Sequence, residues 1–207
     1  ELANTLALIA RHGRKAFYEG EVAAAIEAAC RDVEGAVRAS DLRDYTVVWR
    51  QPIVHTYHGY DVVGMPPPSS GGALIAEALN VLEPASIDRR GPGGALSYHL
   101  LAEAMKHGFA DRASSFGDPD FVNVPLARLV SKGYAADLRA GIDGRRTKPT
   151  WAYGSPGLSV RDDRGTTHVS VVDAHGNAVA LTTTVNGLFG SGVRAPRVGI
   201  LLNNQLD

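Results

Sequence analysis

The sequence predicts an α+β protein, with helices over much of its first two thirds and strands at its end. Apolar residues recur at helical spacing over residues 2–14, 72–83 and 95–115. Residues 46–63 are instead rich in Val, Ile, Tyr and Thr, with near-alternation of polar and apolar positions, and the pattern changes to strands again beyond residue 165. A chain of 207 residues that is 44% hydrophobic and 21% charged has the composition of a globular protein with one core.

Charge and cysteine content exclude several classes of protein. A formal net charge of -1 provides no field that would recruit nucleic acid or an anionic membrane. No window approaches the roughly 18 to 20 consecutive apolar residues of a membrane span. The single cysteine, Cys30, allows no internal disulfide, and the seven histidines show no metal-ligand spacing. We therefore expect no nucleic-acid partner, no membrane span and no metal.

Neither end of the chain looks like a natural terminus. Glu1 stands within a helical pattern without a preceding Met, and Asp207 directly follows a predicted strand. We expect this chain to be an internal fragment of a longer protein.

The first helix is expected to stop at Gly13, and a second helix to follow Gly20. The sequence Ser-Asp-Leu-Arg at 40–43 predicts an N-cap and one short helical turn. After the strands of 46–63 comes Met-Pro-Pro-Pro-Ser-Ser-Gly-Gly at 65–72, where three prolines fix φ and remove amide donors. This run predicts a rigid loop that enters the next helix.

The helices at 72–83 and 95–115 are expected to pack together, because the second has an apolar face. Shorter helices are predicted between Pro125 and Gly141. Residues 143–165 contain Gly, Pro, Lys, Arg and Ser without a period, which is typical of an exposed and mobile linker. Beyond it we predict strands at 166–173, 178–186 and 199–203.

A linker that runs into a strand beginning at Thr166 suggests nucleophilic chemistry. A threonine hydroxyl is a poor nucleophile without a base. A chain that cuts itself just before the threonine creates a free α-amine, whose pKa of about 8 suits proton transfer near neutrality. Gly165 would leave the carbonyl of the cleaved bond unhindered. The alternative is structural, since threonines are common in strands for packing reasons alone.

The hairpin register decides which residues face Thr166. A four-residue turn at 174–177 would pair Asp173 with Ala178 and place Thr166 opposite Val185, with Thr184 on the other face. A loop one residue longer or shorter would put Thr166 on the same face as Thr184 and Asn186. The sequence leaves both registers open.

At these residues the chain resembles the γ-glutamyltransferase family. Its segments similar to the start of the family's small subunit lie at 166–173 (Thr-Thr-His-Val-Ser-Val-Val-Asp), 176–179, 184–186, 189–192 and 199–205. Those similar to the large subunit lie at 16–20, 65–72, 103–106, 110–113 and 117–122. The resemblance covers essentially the whole chain, and the motifs stand in the family's order.

The resemblance implies a fold and a subunit arrangement. The fold is the αββα sandwich of N-terminal-nucleophile hydrolases, present here in part. Residues 1–165 would be the end of the large, mainly helical subunit with its processing linker at 143–165, and residues 166–207 the start of the small catalytic subunit. Together these residues would form one structural domain, made as a precursor that cuts itself between Gly165 and Thr166. A periplasmic or secreted location is expected from the same resemblance.

The resemblance also implies residue roles and a reaction. Thr166 would be the nucleophile, Thr184 would orient it, and Asn186 with Gln205 would bind the α-amino group of a γ-glutamyl compound such as glutathione. Acyl transfer would proceed through a threonine ester to water or an amino acid, without metal or organic cofactor. Further residues that the family needs for the pocket and the oxyanion hole lie outside this chain.

Two rival functions remain. One is an acylase of the same fold that cleaves cephalosporin or glutaryl side chains or poly-γ-glutamate, which would also use Thr166. The other is a non-catalytic homologue that keeps the fold. Elsewhere, Ser69 and Ser70 are expected to cap a helix rather than act as nucleophiles, and His168 is expected to be structural.

Overall fold

A computed structural model describes residues 1–85, 93–154 and 166–205. The described chain divides into two compact units, one formed by residues 1–48 and 166–205 and the other by residues 49–85 and 93–154. The prediction of one domain with a subunit boundary before Thr166 stays a prediction.

The first unit begins with four helices: α1 (Leu2–His12), α2 (Arg14–Tyr18), α3 (Gly20–Arg31) and α4 (Ala39–Asp44). Helix α1 ends where predicted, because Gly13 adopts φ 65°, a left-handed value that a side chain disfavours. Helix α3 follows Gly20 as expected. The short helix α4 has Arg38 rather than Ser40 as its N-cap residue.

Helix α3 supplies the core of the first unit. Its buried residues Val22, Ile26 and Cys30 pack with Ala195 and Val198 from the end of the chain. The hydroxyl of the buried Thr5 on α1 donates to the carbonyl of Val198 at 2.9 Å. The last residues of the chain are therefore held against the first helices.

Four strands complete the first unit as two separate antiparallel pairs: β3 (Thr166–Val172) with β4 (Ala178–Thr184), and β5 (Arg194–Ala195) with β6 (Ile200–Leu201). Every residue of β3 and β4 is exposed. The predicted strand at 199–203 is confirmed only for Ile200–Leu201.

The second unit contains the hairpin β1 (Ile53–Tyr57) and β2 (Tyr60–Gly64), followed by α5 (Gly71–Leu82), α6 (Ala95–Ser115), α7 (Leu126–Leu129) and α8 (Lys132–Ala140). The predicted pairing of α5 with α6 is confirmed, and Val81, Leu82, Ala104 and Ala135 form the core between α5, α6 and α8. In the described residues, no helix has the length and apolarity needed to cross a membrane.

The Pro/Gly run before α5 needs its second glycine for a steric reason. A Cβ at Gly72 would lie 2.3 Å from the carbonyl oxygen of Met65, well inside contact distance. Only glycine lets the loop backbone and the first turn of α5 approach this closely. The predicted loop that enters a helix is confirmed, and its rigidity stays a prediction.

The prediction of strands over residues 46–63 is wrong in part. Residues 46–52 are not in a strand, so strand structure begins at Ile53. Proline at 52 cannot donate to a sheet ladder, and the side chain of Arg50 instead contacts Asp120 at 3.0 Å.

Residues 147 and 149–152 of the predicted linker are exposed as expected, but Tyr153 is not. Thr150–Tyr153 form a short 3₁₀ turn, and the Tyr153 side chain is buried. Thr147 and Tyr153 both donate hydrogen bonds to the carboxylate of Glu103 on α6. The buried Glu103 carboxylate therefore holds this segment at Thr147 and Tyr153. The rest of the predicted linker, at 155–165, lies outside the described residues.

Candidate active site

The hairpin register brings two of the predicted site residues together. Val172 pairs with Ala178, and Thr166 pairs with Thr184. The loop is therefore 173–177, five residues long, and the four-residue turn that would place Thr166 opposite Val185 is wrong. The longer-loop alternative, which puts Thr166 and Thr184 on one face, is the one observed.

Asp173 explains the longer loop. Its carboxylate accepts hydrogen bonds from the backbone nitrogens of His175 and Asn177 at 2.8 and 2.9 Å, and from the Asn177 side chain at 2.7 Å. These bonds, above all the one from the Asn177 side chain, lower the pKa of Asp173. Gly176 supplies the φ of 81° that closes the turn. Asp173 thus caps the loop instead of extending the strand.

The two threonine hydroxyls lie at the open end of this hairpin. Thr166 Oγ1 and Thr184 Oγ1 are 2.9 Å apart, and either hydroxyl can donate. The backbone nitrogen of Asn186 donates to Thr184 Oγ1 at 2.8 Å. Three groups therefore form a chain of hydrogen bonds that ends at the hydroxyl of Thr166.

Asn186 follows β4 in a left-handed turn with φ 71°. Its side-chain nitrogen donates to the backbone oxygen of Asn204 at 3.4 Å and to the side-chain oxygen of Asn204 at 3.3 Å. The backbone nitrogen of Gly187 donates to the same side-chain oxygen at 2.9 Å. Asn204 thereby ties the end of β4 to the segment that carries Gln205.

The remaining predicted residues are placed less completely. Gln205 is exposed, and its backbone nitrogen donates to the side chain of Asn203 at 3.0 Å. Gly165, on the other side of the predicted cleavage point, lies outside the described residues. The structure thus brings Thr166, Thr184 and Asn186 together.

Sequence reasoning assigned no role to Asn204. The residue stands in the run Asn-Asn-Gln at 203–205, directly before a residue predicted to bind substrate. Consecutive amides after a strand are a usable signal, because each side chain can bond backbone groups of a neighbouring turn. The fold decides which of these three amide side chains bonds to the neighbouring turn.

Other polar candidates have structural contacts. The His168 ring nitrogens lie 2.7 Å from the Thr182 hydroxyl and 3.2 Å from the Ser170 hydroxyl. Ser69 Oγ accepts from the nitrogen of Gly71 at 3.3 Å, and the Ser70 carbonyl accepts from the nitrogen of Leu74 at 3.0 Å, at the start of α5. Over residues 1–85, 93–154 and 166–205, no three His, Cys, Asp or Glu side chains are grouped so that they could hold a metal ion.

The structure combines helices with strands, and a threonine is the first residue of its exposed hairpin. This arrangement is that of an N-terminal-nucleophile hydrolase, and similar solved structures support this class. A cephalosporin acylase from Bacillus halodurans matches 99% of this chain and 35% of its own, with a TM-score of 0.76 and 30% identity. The γ-glutamyltranspeptidase of Helicobacter pylori matches 77% of this chain and 47% of its own, with a TM-score of 0.68 and 37% identity. The predicted fold class is confirmed.

The chain belongs to the γ-glutamyltranspeptidase family, whose model matches residues 1–207. The glutathione hydrolase proenzyme of Escherichia coli strain K12 is 44% identical over 206 residues. That alignment covers 100% of this chain and 36% of the E. coli protein, so the chain spans about a third of its relative's length. The predicted family is confirmed.

Proposed function

We propose that the full-length protein is a self-processing γ-glutamyl hydrolase or transferase with Thr166 as its nucleophile. The observation that carries the proposal is the 2.9 Å contact between the Thr166 and Thr184 hydroxyls at the open end of the β3–β4 hairpin. Membership of the γ-glutamyltranspeptidase family and similarity to a glutathione hydrolase proenzyme support it.

The hydrogen-bond chain suits activation of Thr166. The nitrogen of Asn186 occupies one lone pair of Thr184 Oγ1. The Thr184 hydroxyl can then donate to Thr166 Oγ1 and hold that oxygen in place. Once the bond before Thr166 is cut, the new α-amine would accept the proton of the Thr166 hydroxyl as general base.

The proposed reaction is acyl transfer in two steps. Thr166 Oγ1 attacks the γ-carbonyl carbon, the amide C–N bond breaks, and the leaving amine takes the proton held by the α-amine. Water or an amino acid then attacks the ester, which releases the γ-glutamyl group and returns the proton to Thr166. The step needs no metal or organic cofactor.

The proposed substrate is a small γ-glutamyl compound such as glutathione. Asn186 and Gln205 would accept hydrogen bonds from its α-ammonium, since an unpaired buried ammonium is costly. The net charge of -1 does not favour binding to nucleic acid. The partners are instead the large and small subunits of one precursor, and a periplasmic or secreted location stays a prediction.

Self-processing is tested by intact-mass measurement of the full-length protein during incubation. We expect two fragments divided before Thr166, and no cleavage in the Thr166→Ala variant. Thr166→Ser should still cleave, because it keeps a hydroxyl. Thr167→Ala is the matched control, since Thr167 pairs with Thr183 on the opposite face of the hairpin and should cleave at the wild-type rate. A wild-type protein that stays intact contradicts the proposal and favours a non-catalytic homologue.

An acylase function is the second candidate. It is favoured by the match of 99% of this chain to a structure described as a cephalosporin acylase. Hydrolysis of γ-glutamyl p-nitroanilide and glutaryl p-nitroanilide separates the two, because the acyl groups differ only by the α-amino group. Activity on the glutaryl compound alone would reject the γ-glutamyl function and leave Thr166 as the nucleophile of an acylase.

A further inference from the structure

Asn204 holds the backbone and side chain of the turn after β4 in one arrangement. Its side-chain oxygen accepts from the nitrogen of Gly187 at 2.9 Å and from the side-chain nitrogen of Asn186 at 3.3 Å. Its own backbone nitrogen donates to the carbonyl of Val185 at 3.3 Å. One residue therefore contacts all three residues of the segment 185–187.

The orientations of both side-chain amides follow from groups with only one hydrogen-bonding role. A backbone N–H can only donate, so the Asn204 atom that faces Gly187 must be the oxygen. A backbone carbonyl can only accept, so the Asn186 atom that faces the Asn204 carbonyl must be the nitrogen. Neither amide can be flipped without placing two acceptors or two donors against each other.

The side-chain oxygen of Asn186 is left free to face away from Asn204. With its nitrogen directed at Asn204, the Asn186 amide must present its oxygen on the opposite side. The backbone nitrogen of the same residue bonds Thr184 Oγ1, which in turn lies 2.9 Å from Thr166 Oγ1. The residue that carries this oxygen is thus linked to the nucleophile through its own backbone nitrogen, and a side-chain oxygen that is not turned to Asn204 can accept from an ammonium group.

We propose that Asn204 is a positioning residue that fixes the amide of Asn186 with its oxygen outward, and so selects acyl groups that carry an α-ammonium. This inference rests on the proposed γ-glutamyl function. Asn204 acts through Asn186. A rotated Asn186 amide would present N–H groups to the ammonium, and two donors repel.

The test compares two competitive inhibitors of the full-length, processed protein. Glutamate carries the α-ammonium, and glutarate is the same molecule without it. In Asn204→Ala we expect the inhibition constant of glutamate to rise about tenfold, the loss of roughly one charge-assisted hydrogen bond. The constant of glutarate should change by less than about twofold, because it makes no use of the Asn186 oxygen.

Two further variants separate positioning from simple destabilisation. Asn204→Asp keeps an acceptor for Gly187 and Asn186, so it should recover most of the preference for glutamate. In the Asn186→Ala background, Asn204→Ala should add little, because the group that it orients is gone. Asn123→Ala, at an exposed asparagine in the second unit, is the matched control. If Asn204→Ala fails to fold, Asn204→Ser replaces it with the same expected result.

The outcomes distinguish this inference from the function on which it rests. A wild-type protein that shows no γ-glutamyl activity and no preference for glutamate over glutarate contradicts the proposed function. A wild-type protein that prefers glutamate, with Asn204→Ala keeping that preference or losing affinity for both inhibitors equally, overturns the role of Asn204 alone.

Discussion

Outside the hairpin, the buried side chain of Glu77 has a strongly shifted pKa. Glu77 on α5 is fully buried, and its Oε1 has no hydrogen-bond partner within the described parts of the chain. Burial, reinforced by the nearby Asp111 carboxylate and opposed by Arg128, raises the pKa of Glu77 to about 8. The folded state therefore holds Glu77 protonated at neutral pH.

The expected consequence is a loss of stability as pH rises. The raised pKa means that the folded protein binds a proton which the unfolded chain releases above about pH 4.5. Stability is fully present below that pH and falls by up to about 1.4 kcal/mol per pH unit towards pH 8. Glu77→Gln, which is neutral throughout, should remove this slope.

Denaturant unfolding at pH 5.5, 7 and 8.5 measures the difference between the two proteins. Asp137→Asn, at an exposed carboxylate on α8, is the control and should keep the wild-type slope. An unchanged slope in Glu77→Gln would show that Glu77 does not carry the proton.

At the scale of elements, the hairpin depends on its loop. The loop cap at Asp173 sets which residues of β3 and β4 pair, and a shift by one residue would move Thr184 to the other face from Thr166. The site geometry is thus decided at the far end of the hairpin, six residue pairs from the two hydroxyls.

Loss of the loop cap should slow self-processing. In Asp173→Ala the backbone nitrogens of His175 and Asn177 lose their acceptor, and the two threonine hydroxyls should align less often. We expect the cleavage rate of the full-length protein to fall about fivefold, because fewer molecules hold the two hydroxyls in register. Asp173→Asn keeps the oxygen that both nitrogens bind, so cleavage at wild-type rate is expected there. Equal cleavage rates in the wild type, Asp173→Ala and Asp173→Asn would show that the loop cap does not affect the alignment of the two threonine hydroxyls. Intact-mass time courses provide the measurement.

A second element depends on Glu103. This buried carboxylate accepts from Lys106 at 2.8 Å, from Thr147 at 2.7 Å and from Tyr153. Burial alone would raise its pKa, but the hydrogen bonds from Lys106, Tyr153 and Thr147 outweigh burial and lower the pKa to about 2. Residues 147–153 are held to α6 by this ionised group.

For the whole molecule, these two carboxyls contribute to the pH dependence of stability with opposite signs. Glu103 contributes stability above about pH 4.5, and this contribution is lost as pH falls towards 2. Glu77 has the opposite sign, with its loss above about pH 4.5. The combined contribution of these two carboxyls to the free energy of unfolding should be greatest near pH 4.5.

Calorimetry between pH 2.5 and 8.5 tests this profile with variants that act on one side each. Glu103→Gln should flatten the acid side and Glu77→Gln the alkaline side, while Glu21→Gln, at an exposed carboxylate on α3, should alter neither. A difference between wild type and Glu77→Gln that does not change above about pH 4.5 would contradict the assignment of Glu77, and a difference between wild type and Glu103→Gln that does not change below it would contradict that of Glu103.

The sequence alone determined the elements and the candidate nucleophile. Helices α5 and α6 and the strands of the hairpin were predictable because periodicity and turn residues are local properties of the chain. Thr166, Thr184, Asn186 and Gln205 could be named from a long run of family motifs.

Only the tertiary structure decided the register, the contacts of Asn204 and the ionisation of Glu77 and Glu103. A five-residue loop and a four-residue loop differ by the side-chain bonds of Asp173, which no pattern of polar and apolar residues records. Asn204 meets Asn186 across 18 positions of sequence, and Glu103 meets Thr147 across 44. Hydrogen bonding and desolvation depend on distances in space, so residues far apart in the chain acquire their roles only when the fold brings them together.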